Sequence, residues 1–153
     1  MSNRSSLLPC LRLLCIAAAG FFATGQAAVA EPQEIKVVEH ADTDAVTDTG
    51  DKGDTAGDIL TFANEVYDAD DKNKVGSDQG ICFRTLVGKA WECFWTLSLD
   101  KGQITVEGPF LDAGDSTLAV TGGTGRYRNV RGFMKLHALE NGTKFDFEFH
   151  LVG

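Results

Sequence analysis

The chain has 153 residues, a formal net charge of −8 and 43% hydrophobic residues. That length accommodates one domain with a single core. The acidity argues against a nucleic-acid or anionic-membrane surface, because phosphate binding depends on clustered Lys and Arg, and the sequence holds no basic stripe.

Residues 1–30 read as a secretory signal peptide. Arg4 gives a positive start, Leu13 to Gly25 is an uninterrupted run of apolar or small residues, and Ala28-Val29-Ala30 supplies a small-x-small cleavage site. Arg12 interrupts the apolar stretch, leaving it short of the ~20 residues of a spanning helix. Cleavage before Glu31 removes two arginines and no acid, so the net charge moves from −8 to −10. Two cysteines, Cys82 and Cys93, remain. The expected localisation is secreted or periplasmic.

From Glu31 onward the pattern is of strands. "EIKVVEH" (34–40) is a short β-prone run, and "ADTDAVTDTGDKGDTAGD" (41–58) reads as an exposed loop. "ILTFANEVYD" (59–68) alternates as a strand, and the polar "ADDKNKVGSDQG" (69–80) reads as a second loop. "GICFRTLV" and "AWECFWTLSL" flank Gly88-Lys89, a pair suited to a two-residue II′ turn. "QITVEGPF" follows a turn at Asp100-Lys101-Gly102, and "STLAV" follows Ala113-Gly114-Asp115. "RGFMKLHAL" and "TKFDFEFHLV" are joined by Glu140-Asn141-Gly142, another turn signal. In the last strand Phe145, Phe147, Phe149 and Leu151 occupy one face, with Lys144, Asp146, Glu148 and His150 on the other. About eight strands at hairpin spacing predict an antiparallel barrel or sandwich.

"LAVTGGTGRYRNVRG" (118–132) invites a nucleotide-loop reading and fails its requirements. Arg128 stands where a third glycine belongs, a strand-like segment follows instead of a helix, and there is no Gly-Lys-Ser/Thr. The glycines are expected to bend the chain between two antiparallel strands.

The blocks "GDILTFANEVYD", "KVGSDQGICF", "WECFWTLSL", "ITVEGPF", "GDSTLAVTGGTGRYRNVRGFMKLHAL" and "TKFDFEFHL" resemble, in order, those of the allene oxide cyclase family, above all its bacterial secreted members. Plant dirigent proteins share that barrel. The resemblance covers Gly57 to Leu151. It implies an all-β fold, an eight-stranded antiparallel β-barrel with an apolar lumen, often a homotrimer, with no cofactor. The expected division is a signal peptide at 1–30, a first strand and polar loop at 31–57, and the rest of the barrel at 58–153. Plant cyclases convert a fatty-acid allene epoxide into a cyclopentenone, and dirigent proteins steer the coupling of phenolics.

Carried over block by block, the resemblance implies Glu39 (or Glu34), Asn64 and Cys82 as catalytic candidates, with Phe62 and Trp91 as lumen aromatics. Strand parity puts Phe62 and Asn64 on one face, and Cys82, Trp91, Cys93 and Trp95 on one face. Phe110 stands where the cyclases carry a lumen tyrosine, and Ala41 where they carry a second asparagine; their loop proline is missing.

Three functions are therefore expected in turn. The first is a secreted barrel holding a small apolar or phenolic ligand without bond chemistry. The second is an isomerase cyclising an unsaturated fatty-acid allene epoxide. The third is a structural envelope protein with a filled barrel. Neither nucleic acid nor, after signal cleavage, membrane is an expected partner.

Single residues admit plainer readings. Cys82 and Cys93 are either a disulfide or two buried thiols. His40, His137 and His150 lack metal-ligand spacing and read as outward strand polars. Arg126, Arg128 and Arg131 form a small basic rim, expected to pair with surface acids.

Overall fold

In the computed structural model the described residues are 32–153, so the expected signal peptide lies outside them. Nine strands follow in order: β1 (Gln33–His40), β2 (Ala45–Thr47), β3 (Ile59–Asp68), β4 (Lys74–Leu86), β5 (Ala90–Leu99), β6 (Gly102–Leu111), β7 (Ser116–Gly123), β8 (Arg131–Leu139) and β9 (Lys144–Val152). Each long strand from β3 to β9 pairs antiparallel with its sequence neighbour; β1 pairs with β9 and, through Val37–His40, with β3. Eight strands thus close a barrel, which pairs each long strand on both sides and leaves the exposed three-residue β2 as the sheet's edge. The short β2 lies beside Ile59–Thr61 of β3, continuing the line that β1 leaves.

Alternation drives the closure. β9 reads Phe145, Phe147, Phe149 and Leu151 inward, all buried, against Met134 and Leu136 from β8 and Val37 from β1. One Phe moved out of water contributes about 2–3 kcal/mol, so this row alone fixes which face of β9 is the inner one. A one-residue slip would expose all four side chains.

Three expectations need correction. The polar segment after β1 is not wholly loop: Ala45–Thr47 pairs as β2. The second expected loop is half strand, since β4 begins at Lys74, where it pairs with β3, and pairs with β5 from Gly76 onward. The β4–β5 connection is not a two-residue II′ turn. Lys89 N donates to Leu86 O (2.9 Å), Gly88 takes φ +65°, and the ladder shifts between Arg84 and Leu86. Gly88 therefore supplies its left-handed conformation one position later than the sequence pairing suggests.

The glycine-rich segment behaves as a barrel-rim bend. β7 ends at Gly123, a single 3₁₀ turn spans Gly125–Tyr127, and β8 starts at Arg131. A methyl on Gly123 would collide with the Gln103 carbonyl oxygen and the Tyr127 backbone, so the glycine permits close approach of two chain segments.

Candidate functional site

The first links of the site are strand parity and register. Glu39 follows Ile35 and Val37 on the inner face of β1, and pairs with Phe145 of β9 and Val66 of β3. Glu34 is one residue out of phase and exposed, so Glu39 is the lumen carboxylate. On β3 the inward residues are Leu60, Phe62, Asn64 and Val66. On β4, Asp78 is the direct cross-strand partner of Asn64. Glu39, Asn64 and Asp78 thus converge from three adjacent strands, and all three are at least 95% buried.

Asn64 organises the cluster. Its Oδ1 accepts from the Thr43 backbone N–H (3.0 Å) and the Thr43 hydroxyl (2.8 Å). Because a backbone N–H can only donate, the amide orientation is fixed, and Nδ2 must face the acids. It donates to Glu39 Oε1 (2.7 Å) and Asp44 Oδ1 (2.8 Å). All four hydrogen-bonding positions of a buried amide are filled. Thr43 Oγ1 also accepts from Ala63 N (2.7 Å). The strap 41–44, between β1 and β2, is thereby tied to β3 by side chains where no strand ladder runs.

The acids are held away from their ordinary ionisation. Burial is the main cause of the rise of Glu39 from 4.5 to about 7; the Asn64 hydrogen bond opposes it and the Asp44 charge adds to it. Asp78 rises from 3.8 to about 9, again chiefly by burial, then through the Glu39 charge and a hydrogen bond with Glu39. The Glu39 carboxyl is the side chain that faces the Asp78 oxygens. Two facing carboxyls cannot hydrogen-bond unless a proton lies between them, so the pair holds at least one proton at neutral pH.

Beside this cluster lies a cavity of about 30 Å³ at the Glu39 end of the barrel. Its lining includes Glu39, Asp44, Phe62, Trp95, Phe110 and Phe145, with Cys82 and Cys93 as part of the wall. Phe62 meets Trp95 edge-on at 5.8 Å between ring centroids, and Phe110 meets Phe145 edge-on at 5.7 Å. Gly80, facing inward opposite Trp95, leaves the space that Trp95 and Phe62 occupy. Trp95 is 4% exposed, and its Nε1–H has no acceptor among the described residues. A void of this size holds a water or two; the rest of the lumen is packed by side chains. The apolar lumen that the resemblance implies thus leaves only a small cavity in this conformation.

The remaining sequence candidates fall into place individually. Cys82 and Cys93 are direct cross-strand partners with Cα atoms 4.0 Å apart, and they are joined as a disulfide. A bonded sulfur has no thiol to offer, so Cys82 enters the site as wall rather than as a reacting group. Trp91 faces inward but lies one layer away from the cavity, under the Arg84 guanidinium at 4.1 Å. Arg84 donates from Nη1 to both Asp112 oxygens (2.7 and 2.8 Å) and from Nε to Asp54 (2.6 Å), which closes that end of the barrel. Ala41 and Phe110 are partly buried against the core. Sequence reasoning missed Asp78, Thr43, Asp44 and Arg84. The parity of Asp78 with Cys82 was the available signal once β4 extends to Lys74.

Fold and site together define a small closed β-barrel whose lumen pairs aromatic walls with buried carboxyls. The model of the allene oxide cyclase family matches residues 28–153, and the chain belongs to that family. Among solved structures it is similar to a pyocyanin demethylase (TM-score 0.70, 28% identity, covering 78% of this chain and 99% of that one). A pterocarpan synthase dirigent protein (TM-score 0.66, 13% identity, 81% and 96% covered) shares the fold. So does an exo-specific intermolecular Diels-Alderase (TM-score 0.65, 16% identity, 80% and 99% covered).

Proposed function

We propose that the barrel binds a small aromatic or phenolic molecule at the Glu39 end of its lumen and isomerises it by proton transfer. One observation carries this reading: Glu39 and Asp78 are buried side by side, Glu39 in the cavity wall, and burial raises both carboxyls. Such a pair weakens the fold, and perturbed carboxyls beside a cavity are the usual mark of acid–base chemistry.

Glu39 is the group that meets the ligand, because it lines the cavity and Asp78 lies behind it. Neutral Glu39 gives its proton to a ligand oxygen. The carboxylate so formed is held by Asn64 Nδ2 and by the neutral Asp78 carboxyl. It then takes a proton from a ligand carbon, which restores the starting state with no net change in protons. Asp78 is a positioning residue that keeps Glu39 near neutrality. The unpaired Trp95 Nε1–H is a ready donor to a phenolic oxygen. A ring enters only when Thr43 and Asp44 swing away from Asn64, since about 30 Å³ does not admit one.

A pyocyanin demethylase at 28% identity, an enzyme by name on the same barrel, supports catalysis over passive binding. Ala41 and Phe110 put apolar groups where the plant cyclases carry polar ones, which weighs against the particular allene-epoxide reaction. Pure ligand holding is the second reading, favoured by the closed lumen. Export is supported by the signal pattern at 1–30 and the Cys82–Cys93 disulfide. Phe83 and Phe94, exposed on the outer faces of β4 and β5, support a homo-oligomer.

The test is to purify the protein from its own compartment, identify co-purifying small molecules by mass spectrometry, and return each to fresh protein in D₂O. Conversion to an isomer, with solvent deuterium appearing at the donor carbon of the recovered ligand as the step reverses, both lost in Glu39→Gln, is the expected result. A ligand that binds and is returned unchanged would leave only the holding reading.

A further inference from the structure

Charge is segregated along the barrel axis. Asp48, Asp51 and Asp54 before β3, and Asp112 and Asp115 between β6 and β7, lie at the Glu39 end. The opposite end carries the β5–β6 hairpin, the 3₁₀ turn between β7 and β8, and the close of β9. Lys101, Arg126, Arg128 and Arg131 stand there, all exposed. The lysines and arginines that form ion pairs among the described residues are Lys36, Lys72, Lys74, Arg84 and Lys144, so the surface acids expected to pair with the arginine rim are absent. Asp100 is the acid of this group, and four cations with one acid leave a local charge of +3. Asp68 and Asp70, on the β3–β4 side of the same end, are taken up by the backbone N–H and the ammonium of Lys72.

The cluster is held in place by the backbone. Arg126 N donates to Lys101 O (2.9 Å) and Thr124 N donates to Gln103 O (2.9 Å), which ties the turn to the hairpin. Gly125 takes φ +57°, and a methyl there would meet the Lys101 carbonyl, so the close approach depends on glycine. Tyr127, between Arg126 and Arg128, is buried in the core and anchors the turn from within. Arg131 opens β8 opposite Val152, which is 50% exposed. None of the four cations lines a described cavity. A soluble anion needs donors converging in a recess, whereas an extended anionic surface meets outward cations together.

We propose that this end of the barrel docks on a phosphate-bearing anionic lipid surface, with the Glu39 end turned to the water. Guanidinium groups meet phosphate oxygens with paired donors, and Val152 adds a small apolar contact among them. A protein partner would call for a desolvated apolar centre; Phe133, also exposed on β8, is instead stacked on the His150 ring at 4.5 Å. The acidity that speaks against an anionic membrane in the sequence is an average over two unlike ends. The nine residues of β9 span roughly 20 Å of the barrel axis, at about 3.3 Å per residue and a tilt of about 40°. That is about two screening lengths at physiological salt, so the acidic end is little felt at the basic one.

The probes are vesicles of phosphatidylcholine, and vesicles with a third of it replaced by phosphatidylglycerol, sedimented with the processed protein purified from its own compartment. Binding to the anionic vesicles at low salt, its loss at about 0.5 M salt, and none to phosphatidylcholine are expected. Each cation at an anionic surface contributes about fivefold in partitioning, so Arg126→Gln with Arg128→Gln should weaken binding roughly 25-fold. Lys52→Gln with Lys89→Gln makes the same change in net charge at the other end and should leave binding as it was. All four substituted side chains are exposed, and an unchanged unfolding midpoint checks that each variant is folded. Equal loss in the two double variants, or equal binding to both vesicles, overturns the proposal. Release by inorganic phosphate beyond that by chloride at equal ionic strength also overturns it, in favour of a free anion. Retention on immobilised polyglutamate as strong as on the anionic vesicles overturns it in favour of an acidic protein partner.

Discussion

Replacing Glu39 by glutamine removes one buried acid while keeping side-chain shape and an oxygen for Asn64 Nδ2. Burial holds Glu39 at about 7 in the folded chain against an ordinary 4.5. Between those values the folded chain keeps a proton that the unfolded chain has released. Stability therefore falls as pH rises through this window, and the contribution present below pH 4.5 is gone above pH 7. A rise of this size, at 1.36 kcal/mol per unit, corresponds to about 3 kcal/mol. The substituted side chain does not titrate, and its amide can donate to Asp78 in place of the proton that Glu39 and Asp78 share. The Glu39→Gln variant should thus gain on the native protein by about 3 kcal/mol between pH 5 and pH 9. With urea slopes of about 1–3 kcal/mol/M, that is roughly a 1–3 M relative gain in unfolding midpoint, measured by Trp fluorescence and far-UV circular dichroism. Parallel pH dependence of the two proteins would refute the burial argument.

Three other perturbations follow from the same contacts. Replacing Cys82 and Cys93 by Ser opens a cross-link between residues 11 apart in sequence and should cost about 3 kcal/mol in urea unfolding. Asn64→Leu strands the donors of Thr43 and removes the hydrogen bond that lowers Glu39; hydrogen exchange at the strap should quicken and the Glu39 midpoint should move above about 7. Arg84→Ala should cost about 2 kcal/mol, less than the ~3–5 kcal/mol for breaking a fully buried pair, because Asp54 and Asp112 are partly solvated. That variant should leave the Glu39 and Asp78 titrations in place, as read by carboxyl NMR.

The barrel was legible because its inner faces advertise themselves: Phe145, Phe147 and Phe149 against Lys144, Asp146 and Glu148 admit one register only. Glu39 and Asn64 were legible through the family blocks, and parity then decided Glu39 over Glu34. Asp78 was not legible. The inward positions at the start of β4 are Gly76, Asp78 and Gly80, so no apolar residue marks the period, and the segment reads as loop. Its burial arises from β1 and β3 closing over it, a non-local fact. The disulfide turned on hairpin register, which depends on the ladder shift after Arg84 and cannot be read from turn residues alone. The inward parity of Trp91 was correct, but its layer was not, because Arg84 and the loop carrying Asp54 decide what covers that end.

Whether Glu39 and Asp78 hold a proton between them at neutral pH is the hinge of the functional reading. A ¹³C NMR titration of the Glu39 and Asp78 side-chain carboxyls from pH 3 to pH 10 addresses it directly. Two coupled steps, near 7 and near 9, are expected, each carboxyl responding to both. If both carboxyls instead titrate independently near their ordinary values around 4, the lumen carries two plain carboxylates at neutral pH and the proton-transfer function falls.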